Sequence, residues 1–183
     1  MFVMSIDVET TGLDPVTSDL LSVGCVIFNS TNPEYKELFS HEWCVYHTHL
    51  KGHPRALTMN HELVSKADDT LTRFPIDVIS QDLLNIFATY PNRITFAGKN
   101  FLSFDELFLK AYLPDWEAIR KYSGRRVLDP GSMFARPFDD APPILEECCA
   151  RAGVEYEAAK AHDALYDARL VARCIHSFFY SQS

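Results

Sequence analysis

The chain is expected to adopt an α/β fold, a mixed five-stranded sheet flanked by helices, and two observations predict it. Five short segments, at 1–8, 20–29, 37–47, 93–98 and 125–128, are rich in β-branched, aromatic or aliphatic residues and bounded by Gly, Pro, Asn or Ser. Helical periodicity sets in only after the third of them.

The first segment enters a core through Phe2, Val3, Met4 and Ile6, then gives way to a Thr-Thr-Gly turn. The second and third follow with short connections, so the three form an antiparallel meander. Helices are expected at 54–64 and 76–90, then a short strand in "RITFAG" at 93–98 and a helix around Asp105. The strand at 125–128 precedes "DPGSMF". A helix at 142–152 has Pro142 and Pro143 at its start and Gly153 at its end, positions that suit each residue type. The last helix, 163–179, carries the stripe Ala164, Ala168, Val171, Ile175 and Phe178, with Asp163 as its N-cap. Neither an internal repeat nor a linker interrupts residues 1–183, which read as one domain.

Composition bounds the function. At 183 residues with 47% hydrophobic content, the chain can bury a substantial core without disulfides or structural metals. No stretch approaches the roughly 20 apolar residues of a membrane span, and the N-terminus lacks a basic region followed by a hydrophobic signal core. A cytoplasmic, non-secreted protein is expected. The five cysteines, Cys25, Cys44, Cys148, Cys149 and Cys174, lack paired zinc-type spacing and fit reduced thiols. Five histidines between His41 and His61 likewise have no matching Cys or His pair elsewhere.

Four acids stand where apolar residues belong. Asp7 and Glu9 alternate on one strand, so both side chains face the same small volume, roughly 6–7 Å apart. That geometry suits a divalent cation; a solvated strand end is the competing reading. Asp105 follows Phe101 by four and precedes Phe108, Leu109 and Tyr112 by three, four and seven, so it interrupts a helical apolar stripe. Asp167 borders the buried side of the last helix, three and four residues before Leu170 and Val171. Either acid alone is more often an edge residue or a hydrogen-bonded core group; the strand-end pair and both helix acids together weaken that reading. His162, five residues before Asp167 on a loop, is a candidate general base because imidazole accepts a proton near neutrality.

The order Asp7-x-Glu9-Thr10-Thr11-Gly12-Leu13, then "NFLSFDELFL", then "AHDALYDARL" resembles the three motifs of the DEDDh 3'-5' exonucleases, a DnaQ-like family of the ribonuclease H-like superfamily. The likeness runs from residue 4 to about residue 173. It implies a ribonuclease H-like fold and catalysis with two divalent cations, Mg²⁺ or Mn²⁺. Asp7 would bridge both ions, Glu9 and Asp167 would hold the one carrying the attacking water, Asp105 would support the second, and His162 would take the proton. Thr10 would offer its amide to the terminal nucleotide and Leu13 would wedge against its base. One departure concerns Asn100: it lies five residues before Asp105, whereas many members place a His-Asn asparagine four before, and Lys99 replaces that histidine. This touches the substrate contact of Asn100 more than the chemistry.

Phe101 and Phe104 are candidate stacking residues for bases, with a core role as the competing reading. The net charge of -8 is unusual for a protein that handles nucleic acid, which usually shows a basic footprint. Two divalent ions would add about +4 at the site, and Arg120, Lys121, Arg125, Arg126, Lys99 and Lys160 form a candidate local track. Three functions follow: a 3'-5' exonuclease acting on DNA, with single-stranded ends favoured over duplex; a related exoribonuclease or oligoribonuclease; or a non-catalytic nucleic-acid or protein-binding module, whose signature, loss of one acid, is missing. A polymerase partner or a homodimer is left open.

Overall fold

The computed structural model describes residues 1–90 and 93–180. Five strands form one sheet in the order β3-β2-β1-β4-β5: β1 Phe2–Thr10, β2 Leu20–Asn29, β3 Glu37–Cys44, β4 Ile94–Ala97 and β5 Ser123–Leu128. The meander β1-β2-β3 is antiparallel, while β4 and β5 run parallel to β1. The sheet is therefore mixed, as the sequence predicts.

Among the described residues, eight α-helices flank it: α1 Pro54–Met59, α2 His61–Ser65, α3 Ile76–Thr89, α4 Asp105–Tyr112, α5 Trp116–Lys121, α6 Pro130–Met133, α7 Leu145–Ala152 and α8 Ala164–Tyr180. Several boundaries correct the sequence reading. The helix expected at 54–64 breaks at Asn60, which ends α1 and begins α2. Strand β1 runs on through Glu9 and Thr10 rather than stopping at residue 8, and β3 ends at Cys44 because Val45 turns away to bridge Phe74. Pro142 and Pro143 precede α7 instead of sitting in its first turn, where Ile144 is the cap residue; Gly153 ends it at φ 68°. Asp163 caps α8 as expected, accepting the Tyr166 amide at 2.8 Å.

Alternation along β1 divides the core. Met4, Ile6 and Val8 face one side, where Phe87, Phe96, Phe108 and Trp116 complete the larger cluster. Val3 faces the other side, against Ala168, Val171, Ala172 and Ile175 of α8. By the same two-residue period, Asp7 and Glu9 belong to the α8 side.

Small residues let α8 approach the sheet closely. Gly24 is the β2 partner of Asp7, and a Cβ added there would lie 2.2 Å from the Ala164 carbonyl carbon. The first turn of α8 thus rests on the sheet directly beside Asp7. β4, meanwhile, pairs with Val3–Ser5 of β1, so among the described residues the C-terminal half of β1 has no strand beside it on that edge. A crevice at the carboxyl ends of parallel strands is the usual ligand position in such sheets.

Candidate active site

A cavity of about 830 Å³ opens at this end of β1. Asp7, Glu9, His162 and Asp167 line it together with Thr10, Leu13 and Phe104. Three further predicted residues do not line it: Asp105, Asn100 and Phe101.

Asp105 reaches the site from the opposite face. It starts α4, is 2% exposed, and its Oδ1 accepts the backbone N–H of Val8 at 3.0 Å. The stripe inferred from Phe101 does not run through it, since Phe101 belongs to a separate 3₁₀ turn and Phe104 breaks the helical path at φ -136°.

Asp167 lies in the first turn of α8. Its Oδ2 accepts the His162 N–H at 3.2 Å, and its Oδ1 is buried with no hydrogen-bond partner. His162 is exposed and held at φ 67°, in the left-handed region. One ligand atom each from Glu9, His162 and Asp167 falls within 4.8 Å of the others. Asp7 stands outside that triplet but at the electrostatic centre of the acids. Burial raises its carboxyl well above the usual range, and Asp105, Glu9 and Asp167 each push it further.

Glu9 shows the same strain. Only 6% exposed, its carboxyl is pushed up to about 8, first by burial, then by Asp167, against a lowering contribution from the Asn60 side chain. Burial also raises Asp105 and Asp167, the latter opposed by its His162 contacts. Charges gathered this way are unfavourable unless something positive compensates them.

The remaining predicted residues divide between cavity, core and, for Asn100, exposed surface outside the cavity. Leu13 is 84% exposed at the rim, and Thr10 is buried, its hydroxyl donating to the Gly12 carbonyl at 2.6 Å. Phe104 lines the cavity with its ring against Phe108. Phe101 is a correction: 1% exposed, it stacks on Phe96 and packs against Trp116, so it offers no face to a base. Asn100 is exposed at φ 60°, its N–H donating to Asp129 and its Oδ1 accepting from Lys99, away from the cavity lining.

The basic track expected from Arg120, Lys121, Arg125, Arg126, Lys99 and Lys160 contributes no lining residue. Arg120 is spent on Glu106 at 2.8 Å and on Ser123. The lining cation is Arg55 instead, beside His53 at the start of α1. Sequence reading missed it, and also Asn60, whose buried Nδ2 donates to the Thr10 carbonyl at 3.0 Å. An asparagine in the middle of a helical pattern was the available signal, because Asn favours caps and breaks.

The sequence profile of the exonuclease family RNase_T matches residues 4–175. Among solved structures, the fold is similar to E. coli Exonuclease I in complex with a dT13 oligonucleotide, with a TM-score of 0.70, 18% identity and coverage of 96% of this chain and 40% of that chain. The zinc ion bound form of the E. coli ExoI–ssDNA complex gives a TM-score of 0.74 at 16% identity, covering 100% of this chain and 41% of that chain. A full-length 3'-exonuclease gives 0.70 at 12% identity, covering 99% and 82%. The chain thus spans only about two fifths of the Exonuclease I chains it resembles. No curated protein matches in sequence. Among the described residues, no helix is long and apolar enough to cross a membrane.

Proposed function

The chain belongs to the RNase_T family of exonucleases, and from that premise we propose that it is a metal-dependent 3'-5' exonuclease removing nucleoside monophosphates from the 3' end of single-stranded DNA. The supporting observation is the convergence on Asp7 of repulsion from Glu9, Asp105 and Asp167, acids carried by one strand and two helices.

The residues fit a pair of divalent cations. The buried, unpartnered Oδ1 of Asp167 is an acceptor awaiting a donor or an ion, and carboxylates raised by burial and mutual repulsion gain most from added positive charge. Asp7, Glu9, Asp105 and Asp167 would hold the ions, and oxygen ligands favour Mg²⁺ or Mn²⁺. When bound, such a pair supplies charge stabilisation to both the attacking and the leaving oxygen of an in-line displacement.

The chain's own groups do the rest. His162 takes a proton from the attacking water as its oxygen bonds to phosphorus; the bond from phosphorus to the 3' oxygen breaks with its electron pair on that oxygen, which takes a proton from solvent to become the 3' hydroxyl of the shortened strand, and His162 returns its own proton to solvent. The hydrogen bond from its amide to Asp167 keeps this histidine beside the acids. Leu13 and Phe104 present apolar surface to the terminal base, a contact tolerant of sequence, and Thr10 contributes its amide. The dT13 and dA16 oligonucleotides held by the Exonuclease I structures support single-stranded DNA as the substrate class.

Incubating 5'-labelled single-stranded DNA, duplex DNA and RNA with Mg²⁺, with Mn²⁺ or with chelator tests this. A metal-dependent ladder shortening from the 3' end of single-stranded DNA is expected, and Asp7→Ala abolishes it. A ladder unchanged in that variant refutes the assignment, and preferential degradation of RNA moves it to an exoribonuclease.

A further inference from the structure

A second cavity, of about 400 Å³, lies outside the acid site and is lined by Lys160, Arg169 and Arg173 with Glu37, Glu157 and Tyr166. Resting on the exonuclease reading, we propose that this groove binds a backbone phosphate of the same strand, upstream of the end being cut.

The geometry links groove and active site through one short segment. The turn before α8 sends His162 into the acid cavity and Lys160, two residues earlier, into the groove. The first turns of α8 repeat that division: Asp167 lines the cavity, whereas Tyr166, Arg169 and Arg173, spaced three and four apart, line the groove. A helix with its side chains is about 10–12 Å across, so a strand leaving the acids over this turn meets the groove within a few nucleotides.

The groove's cations are available to different degrees. Arg169 is held in place by Glu37, its Nε 3.2 Å from both carboxylate oxygens, and by Ser40. Arg173 is exposed, with its guanidinium over the Tyr35 ring, and makes no hydrogen bond or ion pair among the described residues. Lys160 donates to Glu157 at 2.8 Å in an exposed pair, of the kind that contributes little, so a phosphate can displace that carboxylate. One oriented arginine, one unused arginine and one releasable lysine make an acceptor site for a phosphate, on a protein whose net charge of -8 otherwise repels a strand.

Binding of labelled dT12 and dT2 to the full-length Asp7→Asn chain, measured against salt by fluorescence anisotropy, tests the groove. Arg173→Ala is expected to weaken dT12 binding and to reduce the slope of log affinity against log salt by about 0.7, the value for one lost single-strand phosphate contact. Binding of dT2, too short to reach, keeps its affinity. Glu157→Gln, which frees Lys160, is expected to tighten dT12 about two- to threefold. Unchanged dT12 affinity and slope in Arg173→Ala, beside wild-type degradation of the same strand, overturns the groove and leaves the exonuclease intact. Weaker binding of inorganic phosphate by Arg173→Ala, with dT12 unaffected, makes the groove a site for free phosphate and overturns its assignment to the strand. A wild-type chain that neither binds nor degrades any oligonucleotide overturns both readings.

Discussion

The Asp105 carboxylate accepts the Val8 amide at 3.0 Å across 97 residues of sequence, joining α4 to the half of β1 that β4 does not reach. The same group therefore serves the fold and the acid cluster. Asp105→Asn keeps an oxygen for Val8, so its melting temperature should stay near that of the wild type while activity is lost. Asp105→Ala leaves a buried amide unsatisfied and should cost about 1–3 kcal/mol in denaturant unfolding. Equal stability of the two variants would show that the hydrogen bond contributes nothing.

The raised carboxyl of Glu9 links pH to stability. In the metal-free protein, folded Glu9 holds its proton up to about 8, whereas its ordinary value is 4.5. Across that window the folded state binds more protons than the unfolded one, so stability falls as pH rises. Glu9→Gln removes this contribution and should flatten the decline in melting temperature between about pH 5 and about pH 8.5 in chelator, by about 2–4 °C for each kcal/mol recovered. Added Mn²⁺ should restore the wild type at the upper end. Parallel pH profiles for the two proteins would contradict the electrostatic account.

His162 sits at φ 67°, a conformation glycine adopts freely and β-branched residues resist. His162→Gly should fold with stability within about 1 kcal/mol of the wild type, and His162→Val should lose about 1–3 kcal/mol. Both should lower turnover by about 10²–10⁴-fold, the usual contribution of a general base. Turnover retained in either variant, measured on 5'-labelled DNA with saturating metal, removes His162 from the chemistry.

Gly24 sets the distance between sheet and helix. A methyl group there collides with the Ala164 backbone at 2.2 Å and must push the start of α8, which carries Asp167, away from Asp7. Gly24→Ala should destabilise by at least about 1–3 kcal/mol and, in the fraction that folds, lower activity by about 10²-fold. A fully active, fully stable Gly24→Ala protein would show that the close approach is not required.

The acids were legible in the sequence because charge at an apolar position breaks a periodic pattern, and Asp7, Glu9, Asp105 and Asp167 each do so. The sheet was legible for a related reason, its strands being apolar runs between turn residues. The helical stripe misplaced Phe101: a 3₁₀ turn followed by a break at Phe104 puts its ring among Phe96 and Trp116, and periodicity cannot foresee such a break. Arg55 escaped because it matters through a long-range approach of α1 to the β1 turn, which leaves no local signature; Asn60 showed locally only that the helix breaks there, not that its side chain reaches the Thr10 carbonyl. The helices α5 and α6, of six and four residues, are too short to declare a period.

Anomalous diffraction from crystals soaked in Mn²⁺ with a short single-stranded DNA tests the central claim most directly. Two manganese peaks are expected, both within coordination distance of Asp7, one also contacting Glu9 and Asp167, with the scissile phosphate of the 3'-terminal nucleotide against them. Well-ordered carboxylates at saturating manganese with no peak among them would contradict it.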